Sequence, residues 1–210
     1  MVAKVATGIF LACEPSNHLA IKPANTMHTS IEKTTLRKSI ESHIVEMTGE
    51  ERASENQIIC ETLLERIPKG STICAYSALD TEVDLTQLIT ELINRGDAVF
   101  LPRYADDAIT FHRITDLNEL KMSFFSILEP PADFEQADPK SINIVLVPGR
   151  AFDERGNRLG RGKGGYDKWI EEQRNENPQT KMWGIAFQCQ MIEEVPTENH
   201  DQRMDEVVSA

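Results

Sequence analysis

Apolar residues recur every three or four positions through the first well-patterned stretch of the chain. Leu36, Ile40, Ile44 and Met47 follow "TSIE", in which Thr29 and Glu32 have the spacing of a capping box, so an amphipathic helix is predicted from Thr29. A second helix is predicted from about Glu50, with Ile59, Leu63 and Ile67 on one stripe, until Pro68 and Gly70 stop it. "STICAYSA" (71–78) reads as a short buried strand. Asp84 then caps a helix whose apolar face is Leu85, Leu88, Ile89, Leu92 and Ile93 and which ends at Gly96. "AVFLPRY" is the next strand, and strand, helix, strand at this spacing is the size of a right-handed βαβ unit with parallel pairing.

Asp106 and Asp107 suggest a turn into a further strand, "AITFHRI". Residues 116–140, rich in Pro, Asp and Glu, read as a long surface connection with one helical turn at 117–121. "INIVLVPG" is apolar on both faces, as a central parallel strand should be. Residues 166–174 read as helix, "MWGIAF" as strand, and "EEVPTENHDQRMDEVVS" closes the chain without a repeat or low-complexity tract. Such an alternation is α/β, with a mainly parallel central sheet flanked by helices.

Length and charge narrow the function. At 210 residues and 40% hydrophobic the chain can bury one substantial core, so residues 29–210 are expected to form a single domain. Residues 1–28 carry one thin apolar patch at 9–12 before Cys13 and then Pro-broken polar sequence. They read as a tail or a targeting segment, or Met27 is the working start. A formal charge of −12 leaves no broad cationic face, so neither nucleic acid nor a membrane surface is an expected partner and any anion site must be local. The four cysteines form no CxxC pair, which suits a reducing compartment. A cytoplasmic monomer is the expectation, or an organellar one if residues 1–28 target it. No apolar run approaches the roughly 20 residues that span a bilayer.

The candidate chemistry lies in "GNRLGRGKGGYDKWI" (156–170). Glycines ahead of a helix N-terminus expose backbone N–H groups to which the helix dipole adds, a natural phosphate site. Gly160, Gly162 and Gly165 formally match GxGxxG, but the preceding strand ends near Pro148 and no carboxylate stands at the required distance beyond, so a dinucleotide fingerprint fails. A Walker loop fails too, since Gly164 follows Lys163 where Ser or Thr should ligate magnesium. Arg158, Arg161 and Lys163 supply cations for a polyphosphate. Asp167, at the second helical position, is either a helix-dipole partner or a metal carboxylate, and Asp205 in "MDEVV" is equally ambiguous alone. The five histidines have no ligand spacing, so no zinc site is expected, and no Ser-His-Asp set surrounds Ser77.

"LVPGRAFDERGNRLGRGKGGYD" resembles the signature of the 5-formyltetrahydrofolate cyclo-ligases, also called methenyltetrahydrofolate synthetases. "KTTLR", "SALDTEVDLTQLI", "VFLPRY", "ITFHRI", "ILEPP", "GIAFQCQ" and "EEVPTENHDQRMDEVV" follow in the family's order, over about residues 31–208. The resemblance implies a three-layer α/β sandwich. It also implies ATP- and Mg²⁺-dependent conversion of 5-formyltetrahydrofolate, free or polyglutamylated, to 5,10-methenyltetrahydrofolate with release of ADP and phosphate. In that chemistry phosphorylation activates the formyl oxygen before N10 closes the ring, so the protein mainly positions substrates and neutralises charge.

By position, the resemblance makes Lys33 and Arg37 the amino-terminal pair at the ATP phosphates and residues 158–167 the nucleotide loop. It places Arg158, Gly160, Arg161, Gly162, Lys163, Gly164, Gly165, Tyr166 and Asp167 on nucleotide. Arg161 to Tyr166 with Ser77 and Glu82 fall on folate; Arg161, Lys163 and Tyr166 take the catalytic roles, and Asp167 and Asp205 become the magnesium carboxylates. Three departures stand out. Gly165 replaces the family's usual aromatic, the approach to Glu82 is one residue longer, leaving Asp80 as the alternative, and Ser126 replaces a common glycine beside the expected folate-wall residues Phe124 and Phe125.

Overall fold

The computed structural model describes residues 24–105, 108–123 and 127–210. The expectations for residues 1–23, for the Asp106–Asp107 turn and for Phe124, Phe125 and Ser126 lie outside them. Helix α1 (Ala24–Glu46) starts upstream of Thr29, so "TSIE" lies inside the helix and not at its start. The capping box belongs to α2 (Gly49–Arg66). There the Thr48 hydroxyl accepts the Glu51 N–H at 3.2 Å and the Glu51 carboxylate accepts the Thr48 N–H at 2.8 Å.

Strand β1 (Thr72–Cys74), α3 (Thr86–Asn94) and β2 (Ala98–Ala105) form the predicted parallel unit. β3 (Ala108–Ile114) returns antiparallel to β2. The connection that follows contains a 3₁₀ turn at Leu117–Glu119, capped by Asp116, and a hairpin of β4 (Lys121–Met122) and β5 (Leu128–Glu129). β6 (Ile144–Pro148) leads into a second small hairpin, β7 (Ala151–Phe152) with β8 (Arg158–Leu159), then α4 (Gly165–Glu176), β9 (Lys181–Ala186) and β10 (Glu206–Ser209). The two-residue hairpins and β10 were not predicted, because strands that short carry no readable period.

The sheet runs β10-β9-β6-β1-β2-β3, parallel throughout except at β3. Alternating side chains divide its core into two layers. Ile73, Val99, Leu101, Ile144, Leu146 and Ile185 face α1, α2 and α3, packing with Ile40, Ile44, Ile59, Leu63, Leu88 and Leu92. Cys74, Phe100, Val145, Val147 and Met182 face the other way, onto Tyr166 and Ile170 of α4. The result is the expected three-layer sandwich. From β1 the chain moves outward to β2, and later enters the sheet on the opposite side of β1 through β6. Such a reversal opens a crevice between the loops at the carboxyl ends of those two strands, where open α/β sheets bind ligands.

Candidate active-site cleft

The residues singled out by sequence gather at that crevice. The loop after β1 carries Ser77, Thr81 and Glu82, and the chain after β6 carries Arg150, the β7–β8 hairpin and the glycine loop. Lys33, Arg37 and Glu41, four residues apart, form one stripe of α1. The α1 stripe reaches the chain after β6: Arg37 Nε donates to the Gly160 carbonyl at 2.8 Å, and Arg150 Nη2 donates to Glu41 Oε1 at 2.9 Å.

Asp153 builds the hairpin that delivers Arg158. Its fully buried carboxylate accepts the Arg155 and Asn157 N–H groups at 3.0 and 2.9 Å, the Asn157 amide at 2.9 Å and the Val195 N–H at 3.0 Å. Burial alone would raise its pKa, but the hydrogen bonds from Val195, Asn157 and Arg155 outweigh burial and hold it below the ordinary carboxylate value. A depressed folded pKa stabilises the protein above the unfolded-state value near 4 and is lost as the pH falls through the lower folded value. Asp153→Ala is therefore expected to cost about 3 kcal/mol at pH 7, having left four N–H donors without their acceptor. The gap from wild type should narrow in thermal melts below about pH 4; a gap that stays constant down to pH 3 would contradict this role.

The loop itself is a cradle a side chain would fill. A Cβ on Gly160 would lie 3.1 Å from the Arg158 guanidinium, and one on Gly162 would lie 3.4 Å from that of Arg37. Gly162 (φ +97°) and Gly164 (φ +68°) hold left-handed conformations that deliver the chain into α4, and Gly164 is its N-cap. Behind the loop, Arg158 is buried and donates to Asp167 Oδ1 at 2.8 Å and to the Pro148 carbonyl at 3.2 Å, and its Nε is buried without a partner among the described residues. Asp167 Oδ1 also accepts the Gln202 N–H at 3.2 Å. Opposite, the buried Lys33 ammonium is held by Glu198 at 3.0 Å and Asp201 at 2.5 Å. Lys33, Arg37, Arg158, Gly160, Gly162, Gly164 and Asp167 thus share one cleft of about 170 Å³ with Glu198 and Asp201. Lys163 stands exposed at the loop's crest.

A second cluster adjoins it. The buried Glu82 accepts Arg161 Nε at 3.0 Å and the Leu79 N–H at 3.0 Å, whereas Asp80 is exposed, so the longer approach still turns Glu82 inward. Tyr166 is buried and its hydroxyl has no hydrogen-bond partner among the described residues. Burial, then Tyr104 and Glu82, push that phenol well above its ordinary pKa, and Tyr104 is pushed up to about 12 by burial and then by Glu82. Both phenols therefore stay neutral beside Glu82. Ser77 Oγ donates to the Leu128 carbonyl at 2.6 Å, which anchors the β4–β5 hairpin. At Gly165 a Cβ would touch Ile109 Cδ1 at 3.4 Å, so Ile109 stands where the family's aromatic would begin.

One expected metal carboxylate is not in this cleft. Asp205 accepts the Met182 N–H at 2.7 Å and sits 3.6 Å from Arg174, at the amino end of β9. Arg174 lies two helical turns, about 10 Å, down α4 from Asp167. The segment 198–205 runs alongside α4, and the carboxylates it contributes to the cleft are Glu198 and Asp201. Sequence reading also missed Thr81, Arg150, Glu41 and Glu198. None carries a chemical signature by itself, and the tertiary fold brings Thr81 and Glu41 to Arg150 and Glu198 to Lys33.

Comparison with known proteins agrees with the geometry. The chain is 25% identical over 189 residues to mouse 5-formyltetrahydrofolate cyclo-ligase, covering 84% of this chain and 92% of that one. It is 32% identical over 142 residues to the Escherichia coli K12 protein of the same name, covering 66% of this chain and 77% of that one. An Aquifex aeolicus 5,10-methenyltetrahydrofolate synthetase superposes with a TM-score of 0.73 at 29% identity, covering 84% and 89% of the two chains. With the 5-formyltetrahydrofolate cyclo-ligase family matching residues 29–210, a three-layer sheet of the same fold and a glycine-loop cleft at its switch point, this chain is a ligase that belongs to that family.

Proposed function

We propose that the protein uses ATP and Mg²⁺ to cyclise 5-formyltetrahydrofolate to 5,10-methenyltetrahydrofolate, releasing ADP and phosphate. The observation that carries this reading is the glycine cradle at the α4 N-terminus with Lys33, Arg37 and Arg158 around it and three carboxylates beside it. Bare N–H groups and fixed cations suit a polyphosphate, and Asp167 with Asp201 offers the hard oxygen donors a magnesium ion takes. Bound there, the metal would neutralise charge on the phosphates. Lys33 is already between Glu198 and Asp201, so it would stand at the metal's flank and meet the phosphates from the α1 side. Arg37 holds the loop through Gly160, and Arg158 fixes Asp167.

On the folate side, Glu82 offers a carboxylate to the donor edge of a pterin, and Tyr166 offers a buried hydroxyl that has no hydrogen-bond partner among the described residues. Arg161 bridges the two halves, because it leaves the nucleotide loop and ends on Glu82. A catalytically weak folate or nucleotide binder is the second reading, favoured by Gly165 with Ile109 beside it in place of an aromatic. Mixing purified protein with 5-formyltetrahydrofolate, ATP and Mg²⁺ separates the two. Appearance of the methenyl absorbance, dependent on all three, supports the enzyme. No folate-dependent turnover at high protein concentration supports the binder.

A further inference from the structure

Arg150 is a buried cation that the nucleotide cradle does not use. It is 8% exposed, directly follows the β6 exit through Gly149, and donates Nη1 to Thr81 Oγ1 at 2.9 Å and Nη2 to Glu41 Oε1 at 2.9 Å. Arg161 Nη2 donates to the same Thr81 oxygen at 3.1 Å and its Nε to Glu82. Two guanidinium groups therefore converge on a single hydroxyl. Arg150 is held below the usual arginine value by burial and by the charge of Arg161, which shows how closely the two cations lie. Arg150 is buried whereas the Arg161 side chain is 38% exposed, so the repulsion falls mainly on Arg150, and a bound anion would relieve it. Each arginine has one fixed carboxylate: Glu41, half exposed on the α1 surface, pairs with Arg150, and the buried Glu82 pairs with Arg161. Each guanidinium carries five donors, and the hydrogen bonds among the described residues use two on each.

We propose that Arg150 and Arg161, joined through Thr81, form an oxyanion site on the folate side of the cleft, distinct from the Lys33–Arg37–Arg158 cradle. The site is flanked by Glu82, so the group it takes is one that arrives with the folate or passes to it. Two sources share that chemistry: a phosphoryl group transferred toward the folate, and a carboxylate of the folate's glutamate tail. The inference rests on the proposed function for the identity of the anion but not for the existence of the site.

The experiment titrates inorganic phosphate, and separately triglutamate, into the protein without nucleotide or folate, by calorimetry. Wild type, Arg150→Met, Arg150→Lys and Arg37→Met are compared, each checked by thermal melt. Saturable phosphate binding that weakens at least tenfold in Arg150→Met, recovers partly in Arg150→Lys and persists in Arg37→Met supports the site with a phosphoryl occupant. The same pattern with triglutamate and not phosphate supports it with a carboxylate occupant. Binding of both anions unchanged in Arg150→Met, or lost only in Arg37→Met, overturns the proposal. If Arg150→Met does not fold, the Arg150→Lys titration decides in its place: a guanidinium site predicts at least threefold weaker anion binding, and unchanged binding overturns it. Absence of folate turnover would defeat the proposed function and leave these titrations readable.

Discussion

Asp167→Ala is expected to lower the melting temperature substantially as well as to remove activity. Arg158 is almost completely enclosed, with 3% of its side chain exposed, and Asp167 at 2.8 Å is its carboxylate partner. Taking away one member of a buried pair leaves an uncompensated charge, at a cost of about 3–5 kcal/mol. For a protein of this size each kcal/mol moves the midpoint by roughly 2–4 °C, so a fall of about 6–20 °C should appear in a thermal scan. The same change should reduce turnover on the order of 10²–10³-fold, since Asp167 is proposed to hold the metal beside the phosphates. Asp167→Asn separates the effects: its amide oxygen can still accept from Arg158, so most of the stability should return while activity stays low. Adding Arg158→Met to Asp167→Ala should also recover stability, because removing both charges is less costly than stranding one. A melting temperature for Asp167→Ala within 2 °C of wild type would show that this pair does not hold the loop to α4.

Gly156→Ala is expected to be the most damaging glycine substitution outside the cradle, at about 3 kcal/mol or more. Two penalties combine there. The backbone has φ +82°, a region that costs an L-residue roughly 1–2 kcal/mol. The added Cβ would also lie 2.4 Å from the Met204 carbonyl oxygen, which accepts no such approach without main-chain movement. Gly156 O in turn accepts the Met204 N–H at 2.7 Å, so the turn and the C-terminal segment are locked together. Shifting that contact disturbs the hairpin that aims Arg158 and the segment that aims Asp201. Gly70→Ala is the control: φ is +81°, but nothing stands within 4 Å of the new Cβ. Chemical denaturation should show Gly70→Ala losing only the conformational part. Equal losses at the two positions would mean that the Met204 contact adds nothing.

Both results bear on how the site is written in the chain. Helices α2 and α3 and the central strands were legible because their signals are local: a stripe every three or four residues, a continuous apolar run, a stopping glycine; the expected cap of α3, Asp84, falls one residue ahead of its N-cap, Leu85. Even locally the reading slipped at α1, where Thr29 and Glu32 imitate a cap inside a helix that starts earlier. A capping motif states only that a helix is favoured to begin there, and continuing helix propensity upstream overrides it. The glycine loop was legible for a different reason. Gly162 and Gly164 need positive φ and Gly160 has a guanidinium against it, so the requirement for glycine is visible residue by residue.

The carboxylates were not legible in this way. Asp201 and Asp205 stand four apart in one polar segment, and nothing in their neighbours distinguishes them. What distinguishes them is height along α4: Asp201 meets Lys33 across 168 residues of chain, and Asp205 meets Met182 two turns further down. Arg150 is similar. Its partners Glu41 and Thr81 lie 109 and 69 residues away, and it becomes a candidate for anion recognition only because β6 is laid beside β1. By itself, then, the sequence determined the main helices and central strands, the parallel α/β class, the glycine loop ahead of α4 and the family resemblance, all of which depend on short-range periodicity or contiguous motifs. The tertiary structure alone decided which acids and cations share the cleft, because that choice is made by strand order and helix height, which place residues far apart in sequence within a few ångströms.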